Sequence, residues 1–235
     1  MQKLVLFDID GTILRSAGAG RRAITAALAE EIGDASGFQR VRFDGKTDPQ
    51  IIAELLEAAG HAGPHSEERV QAVCARYVAL LEDELASTSG MRLLPGFPAL
   101  LDRLEATRGV ILGLLTGNLA RGAALKLRAV GVDPERFRVG AFGSDSGHRP
   151  DLAPIAARRA APLIGWVPSG DEVVIIGDTP ADVTCGSGIG ARTVAVATGS
   201  YAMAELEACG AHAVLPDLAD TEAALAAILA GWDTA

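Results

Sequence analysis

The sequence predicts an α/β protein, a doubly wound parallel sheet carrying an inserted helical domain. Three observations carry that expectation. Short runs that are apolar nearly throughout recur along the 235 residues, as strands buried on both faces require. Helical patterns lie between them, the alternation that winds a parallel sheet on both sides. The interval 16–90 breaks the rhythm. It holds several amphipathic helices and no buried strand, whereas one parallel crossover needs a single helix.

The first strand is predicted over Lys3–Ile9. The Gly-rich stretch Ser16-Ala17-Gly18-Ala19-Gly20 follows, then helical periodicity over Ala23–Ile32, Pro49–Ala59 and Glu67–Leu85, then Ser87-Thr88-Ser89-Gly90. The two flexible stretches read as hinges. The expected division is therefore a core domain of residues 1–15 and 91–235 and a helical insertion of residues 16–90. Further strands are expected over Val110–Thr116, Phe137–Phe142, Glu172–Asp178, Thr193–Ala197 and Ala213–Leu215, with helices over Ala120–Val130 and Leu152–Ala161.

Composition narrows the function. Hydrophobic residues at 49% and charged residues at 22% argue against disorder. Lys+Arg 21 against Asp+Glu 30 leaves a net charge of −9, so nothing draws the chain to nucleic acid or to an anionic membrane. Lysine occurs only at Lys3, Lys46 and Lys126. Cys74, Cys185 and Cys209 show neither CxxC nor metal spacing, which reads as reduced thiols. Cys185, in a Gly-rich stretch, reads as small-residue packing. The run Leu4-Val5-Leu6-Phe7 is too short for a signal peptide, and no apolar stretch reaches transmembrane length. A soluble cytoplasmic protein, monomer or homodimer, is expected.

The strongest local signal is Asp8-Ile9-Asp10-Gly11-Thr12, ending the first strand. Two carboxylates two apart project to one side of an extended chain, at the sheet edge where such folds bind ligands. They repel, and a hard cation such as Mg²⁺ suits them. An ordinary Asp-Gly turn would look the same. Gly177-Asp178-Thr179-Pro180-Ala181-Asp182 brings another carboxylate to the same edge, with Asp182 one helical turn on. It also reads as a helix start capped by Asp178 or Thr179. Leu115-Thr116-Gly117-Asn118 offers a hydroxyl and freed backbone N–H groups for a phosphate oxygen, or a helix cap. Arg149 is a potential bidentate phosphate ligand, and its neighbour His148 reads as polar surface.

Together these four motifs, in this order, resemble the haloacid dehalogenase superfamily of hydrolases. Asp8-Ile9-Asp10-Gly11-Thr12 is similar to its first motif, Thr116 to its second, Arg149 to its third, where lysine is commoner, and Gly177–Asp182 to its fourth. The 16–90 insertion resembles the helical cap of that family. The resemblance implies a Mg²⁺-dependent phosphatase acting on a small phosphorylated metabolite through an aspartyl-phosphate. It implies Asp8 as nucleophile and Asp10 as general acid, then base. It implies a metal held by Asp8, Asp178 and the backbone carbonyl of Asp10. Thr116, Arg149 and amides near Gly117 and Asn118 would bind the phosphoryl oxygens, and Asp182 would orient Arg149 or a water on the metal.

Within the insertion, Phe43-Asp44-Gly45-Lys46-Thr47-Asp48-Pro49 resembles the substrate-specificity loop of phosphoglycolate-phosphatase-like members, with Lys46 facing the substrate. It reads equally as a helix start with Asp48 as cap and Pro49 first in the helix. Arg15 is a further candidate substrate contact. Alternatives on the same scaffold are a phosphomutase, or a phosphonatase using Lys46 as an amine nucleophile. A non-catalytic binder of phosphometabolites is the alternative from another class. Dehalogenation is disfavoured, since it needs neither Asp10 nor a metal.

Overall fold

The computed structural model describes residues 2–33 and 37–232; residues 34–36, inside the 16–90 interval, lie outside the described residues. Strand β1 (Lys3–Phe7) leads to the short β2 (Leu14–Arg15), then helices α1 (Ala19–Ile32), α2 (Asp48–Ala58) and α3 (Glu67–Ser87). Next come β3 (Arg92–Leu93), α4 (Phe97–Ala106), β4 (Val110–Thr116), α5 (Ala120–Ala129), β5 (Val139–Phe142) and α6 (Leu152–Ile164). The chain closes with β6 (Val173–Gly177), α7 (Pro180–Cys185), β7 (Arg192–Val196), α8 (Met203–Ala208), β8 (Ala213–Leu215) and α9 (Thr221–Ile228).

Six strands form one parallel sheet in the order β5-β4-β1-β6-β7-β8. β1 is central, and the order reverses beside it, which opens a crevice at the C-terminal strand ends. Alternation along β1 serves both faces. Val5 and Phe7 pack with Phe97, Leu101 and Ile228 of α4 and α9. Leu4 and Leu6 pack with Ala153, Ala156 and Ala160 of α6. Lys3, though buried, ends its ammonium on the α9 C-terminus, donating to Ile228 O at 3.3 Å and Ala230 O at 3.4 Å.

Helices α1, α2 and α3 build a separate apolar cluster around Leu28, Ile52, Leu55, Tyr77 and Leu81, which Leu119 joins at the head of α5. The chain enters and leaves this helical unit through β2 and β3, which pair antiparallel, Leu14 with Leu93 and Arg15 with Arg92.

Several boundaries differ from expectation for local reasons. β1 stops at Phe7, not Ile9. The Asp8 amide still bonds Ile176 O at 2.9 Å, but the Ile9 carbonyl turns to accept from Thr12, Ile13 and Leu14. β5 starts at Val139, not Phe137, because a 3₁₀ turn over Pro134–Arg136 holds the Phe137 amide. α1 begins at Ala19, so Ala19 and Gly20 are helix, not hinge. At Gly20 a Cβ would lie 3.3 Å from Lys126 Nζ and 3.7 Å from Tyr77 Oη, so this glycine serves close approach. Thr47, not Asp48, caps α2, accepting from the Gln50 amide at 3.3 Å, and Pro49 takes the second helical position.

Candidate active site

The ends of β1, β4 and β6, the turn before α6 and the α1–α2 segment enclose a cavity of about 290 Å³. Asp8, Asp10, Lys46, Thr116, Gly117, Asn118, Arg149 and Asp178 all line it. Asp182 lies behind this wall.

Asp8, Asp178 and Asp182 form the carboxylate group, with one oxygen of each within 4.8 Å of the others. All three are buried. Asp178 accepts from Thr12 Oγ1 at 3.2 Å. Backbone crowds it: a Cβ on Gly11 would fall 2.3 Å from its Oδ2, and one on Gly199 only 1.7 Å. Asp182 is committed elsewhere. It accepts from the Thr179 amide at 3.0 Å and Thr179 Oγ1 at 2.7 Å, closing a capping box at the head of α7. It also accepts from Arg149 Nη2.

Arg149 Nη2 lies 3.2 Å from Asp8 Oδ1. Although burial opposes its charge, Asp182 and Asp8 hold the guanidinium firmly protonated. Arg149 Nε is buried and has no acceptor among the described residues.

The acids have too little positive charge around them. Burial pushes Asp8 up to about 7; Arg149 opposes this, while Asp182 and Asp10 add to it. Burial, then Asp182 and Asp8, raise Asp178 well above the carboxylate range. Crowded, desolvated hard-oxygen donors that resist ionisation alone are a fit for a divalent cation, which would relieve the repulsion.

Asp10 faces the other way. Its Oδ2 accepts from Lys126 Nζ at 2.5 Å and Asn118 Nδ2 at 2.9 Å. Burial pushes its carboxyl up, but Lys126, Asn118 and Ser16 together hold it below the usual range. The Asn118 amide is fully used: Nδ2 also donates to Thr116 Oγ1 at 2.8 Å, and Oδ1 accepts from Lys126 at 2.6 Å. Its side chain therefore orients Asp10 and has no donor left for a phosphoryl oxygen.

The loop before α2 seats on this edge. The Asp48 amide donates to Gly117 O at 2.8 Å, Asp48 Oδ2 accepts from the Leu119 amide at 2.8 Å, and Thr47 Oγ1 donates to Gly147 O at 2.8 Å. Lys46 lines the cavity with its ammonium paired to Glu54, which Gln50 holds at 3.0 Å. Arg15 is not at the site: it donates to Thr198 O at 2.6 Å. His148 is exposed and bonded to Asp151.

Three residues escaped the sequence reading. Arg21 lines the cavity, stacked 3.8 Å over the Phe43 ring. Asp48 and Lys126 are both buried on its wall. For Lys126 a signal existed: it follows Gly122 and Ala123 by four and three residues, so it shares their buried helix face.

A family model for haloacid dehalogenase-like hydrolases matches residues 2–190. A phosphoglycolate phosphatase of Rhodospirillum rubrum is 31% identical over 223 residues, 93% of this chain and 89% of that protein. One from Cereibacter sphaeroides is 31% identical over 225 residues, 91% of this chain and 96% of its own. Among solved structures, a Pseudomonas syringae hydrolase superposes with TM-score 0.71 at 23% identity, covering 96% of this chain and 98% of that one. CbbY from Rhodobacter sphaeroides, in complex with phosphate, superposes with TM-score 0.70 at 22% identity, covering 94% and 96%. The parallel sheet, the order of motifs along it and these likenesses agree: the chain belongs to the haloacid dehalogenase-like hydrolases and is an enzyme.

Proposed function

We propose that this enzyme is a Mg²⁺-dependent, cytoplasmic phosphatase that hydrolyses a small phosphorylated metabolite with an anionic leaving group, 2-phosphoglycolate being the first candidate. The observation that carries the reading is the meeting of Asp8, Thr116 and Arg149 in one cavity. Arg21 and Lys46, which line the same cavity, support an acidic leaving group. The named activity of the 31% identical relatives supports the candidate substrate.

In this reading a carboxylate oxygen of Asp8 attacks phosphorus while the bond to the leaving oxygen breaks, giving an aspartyl-phosphate. Arg149 and Thr116 hold the phosphoryl oxygens, and Asp182 keeps the Arg149 fork in place. Asp10 protonates the leaving oxygen, then takes a proton from the water that attacks phosphorus and releases phosphate. Asp8, Asp178 and the Asp10 carbonyl would hold Mg²⁺, which when bound would supply charge neutralisation at the phosphoryl group. Residues 16–90 act as a cap over a core of residues 1–15 and 91–235, hinged at the β2–β3 ribbon, and exclude water when seated.

The Lys46–Glu54 pair works against a phosphonatase, whose amine must shed its proton to attack a carbonyl. The test is phosphate release from a panel of phosphorylated metabolites including 2-phosphoglycolate, with and without EDTA. Turnover that needs Mg²⁺ is expected. Full activity after EDTA treatment, or no release from any substrate, overturns the reading.

A further inference from the structure

Lys126 is the most costly side chain in the site that the mechanism above does not use. It projects from α5, it is 4% exposed, and a lysine ammonium is almost never buried without a purpose-built set of partners. Those partners are Asp10 Oδ2 at 2.5 Å and Asn118 Oδ1 at 2.6 Å. Burial works against the charge, and Asp10 and Asp48 more than restore it. The three groups come from three elements: the β1–β2 turn, the β4–α5 turn and the first turn of α2.

The bonding is directional. Lys126 and Asn118 converge on one oxygen of Asp10, Oδ2, and neither bonds Oδ1. Two donors on a single oxygen fix the plane of the carboxylate. The other oxygen is then available to exchange a proton with a leaving group or a water. Asn118 is itself tied to Thr116, at 2.8 Å, so the acid/base and the phosphoryl-binding hydroxyl share one frame. Asp48 adds a second negative charge beside Lys126 only while α2 is seated on Gly117 and Leu119.

We propose that Lys126 is a positioning residue: together with Asn118 it fixes the Asp10 carboxylate through Oδ2 at the leaving-group end of the cavity, in the arrangement where Asp48 is seated. This inference rests on the phosphatase reading. The wild-type enzyme is the control that separates the two: absence of turnover there is a failure of that reading, not of this one.

The test is K126M, with K126Q as second variant. Methionine keeps the length and the burial and removes the donor. For an alkyl phosphate monoester, kcat is expected to fall about 100-fold, the scale of a misaligned acid/base, with KM within about threefold. p-Nitrophenolate needs no proton to leave. With p-nitrophenyl phosphate, K126M should therefore release one equivalent rapidly and then turn over slowly, as Asp10 fails as base. A merely structural lysine would lower both phases together, and that result refutes the proposal. A raised KM with unchanged kcat also refutes it, since Lys126 would then bind the leaving group's own charge. If K126M does not melt cooperatively, K126Q, which keeps an amide donor, must show the same split between fast release and slow turnover, at about tenfold; no split refutes the proposal.

Discussion

Replacing Gly117 with alanine tests whether the seated helical unit is the form that turns over. A Cβ there would lie 2.0 Å from Lys46 O, 2.8 Å from Lys46 C and 2.9 Å from Thr47 Cα. All three are backbone atoms, so no side-chain rotation relieves the clash. Gly117 itself is not in the left-handed region, so alanine costs its own backbone nothing. The strain falls on the contact between the loop before α2 and the β4 end. Overpacking of this kind costs about 1–3 kcal/mol. The bond from the Asp48 amide to Gly117 O, 2.8 Å here, stretches with it, at about 1 kcal/mol. Together about 2–4 kcal/mol works against seating, a fall of roughly 30- to 1000-fold in the seated population. G117A should thus melt cooperatively, still be inhibited by inorganic phosphate, and lose at least about 30-fold in kcat/KM. Hydrogen exchange at the Asp48 amide should speed up in step. Wild-type kcat/KM with wild-type protection of that amide would refute the reasoning.

D8N should abolish phosphate release while keeping a native melt; substantial turnover would remove Asp8 from the nucleophile's place. The same variant has a stability signature. Burial raises Asp8 from 3.8 to about 7 in the metal-free protein, so between those values the folded state holds a proton the unfolded state has lost, and stability falls as pH rises from about 4 to 7. At pH 8 in EDTA, D8N should therefore melt above wild type, with the gap closing below about pH 4 and on adding Mg²⁺ to wild type; a pH-independent gap would contradict this. G199A would put a Cβ 1.7 Å from Asp178 Oδ2, and the Mg²⁺ concentration for half-activation should rise about 5- to 150-fold, an unchanged value counting against Asp178 as a ligand. K46A should lower kcat/KM for 2-phosphoglycolate more than for p-nitrophenyl phosphate, and an equal loss would make the loop structural.

Much of the sheet was legible because buried parallel strands are apolar throughout: the bounds of β4 and β8 agree with the sequence expectation residue for residue. The β2–β3 ribbon was not, since two residues a side carry no periodicity. Position at a strand end also placed Asp8, Asp178 and Thr116 around one cavity, because parallel topology sends every strand end to the same edge. Asp48 and Lys126 were hidden by the opposite circumstance. Each sits within a helix, Asp48 posing as a cap and Lys126 as a solvated lysine, and only tertiary packing of α2 and α5 shows both side chains inside. Gly20 misled in a third way, as close packing and flexibility select the same residue.

The central place of β1 has a consequence for how the protein is made. β1 leaves the ribosome before β4 and β6, yet Val5 finds its neighbours there, in Leu112 and Val174. At roughly 5–20 residues per second, the second neighbour arrives roughly 10–30 s after the strand emerges. Until Leu112 follows, both edges of Leu4-Val5-Leu6-Phe7 are open, and until Val174 follows one edge still is, an apolar segment of the kind that pairs with other nascent chains. Only the flanking charges, Lys3 and Asp8, stand guard against such pairing. Asp8 thus protects the growing chain before there is any site for it to serve.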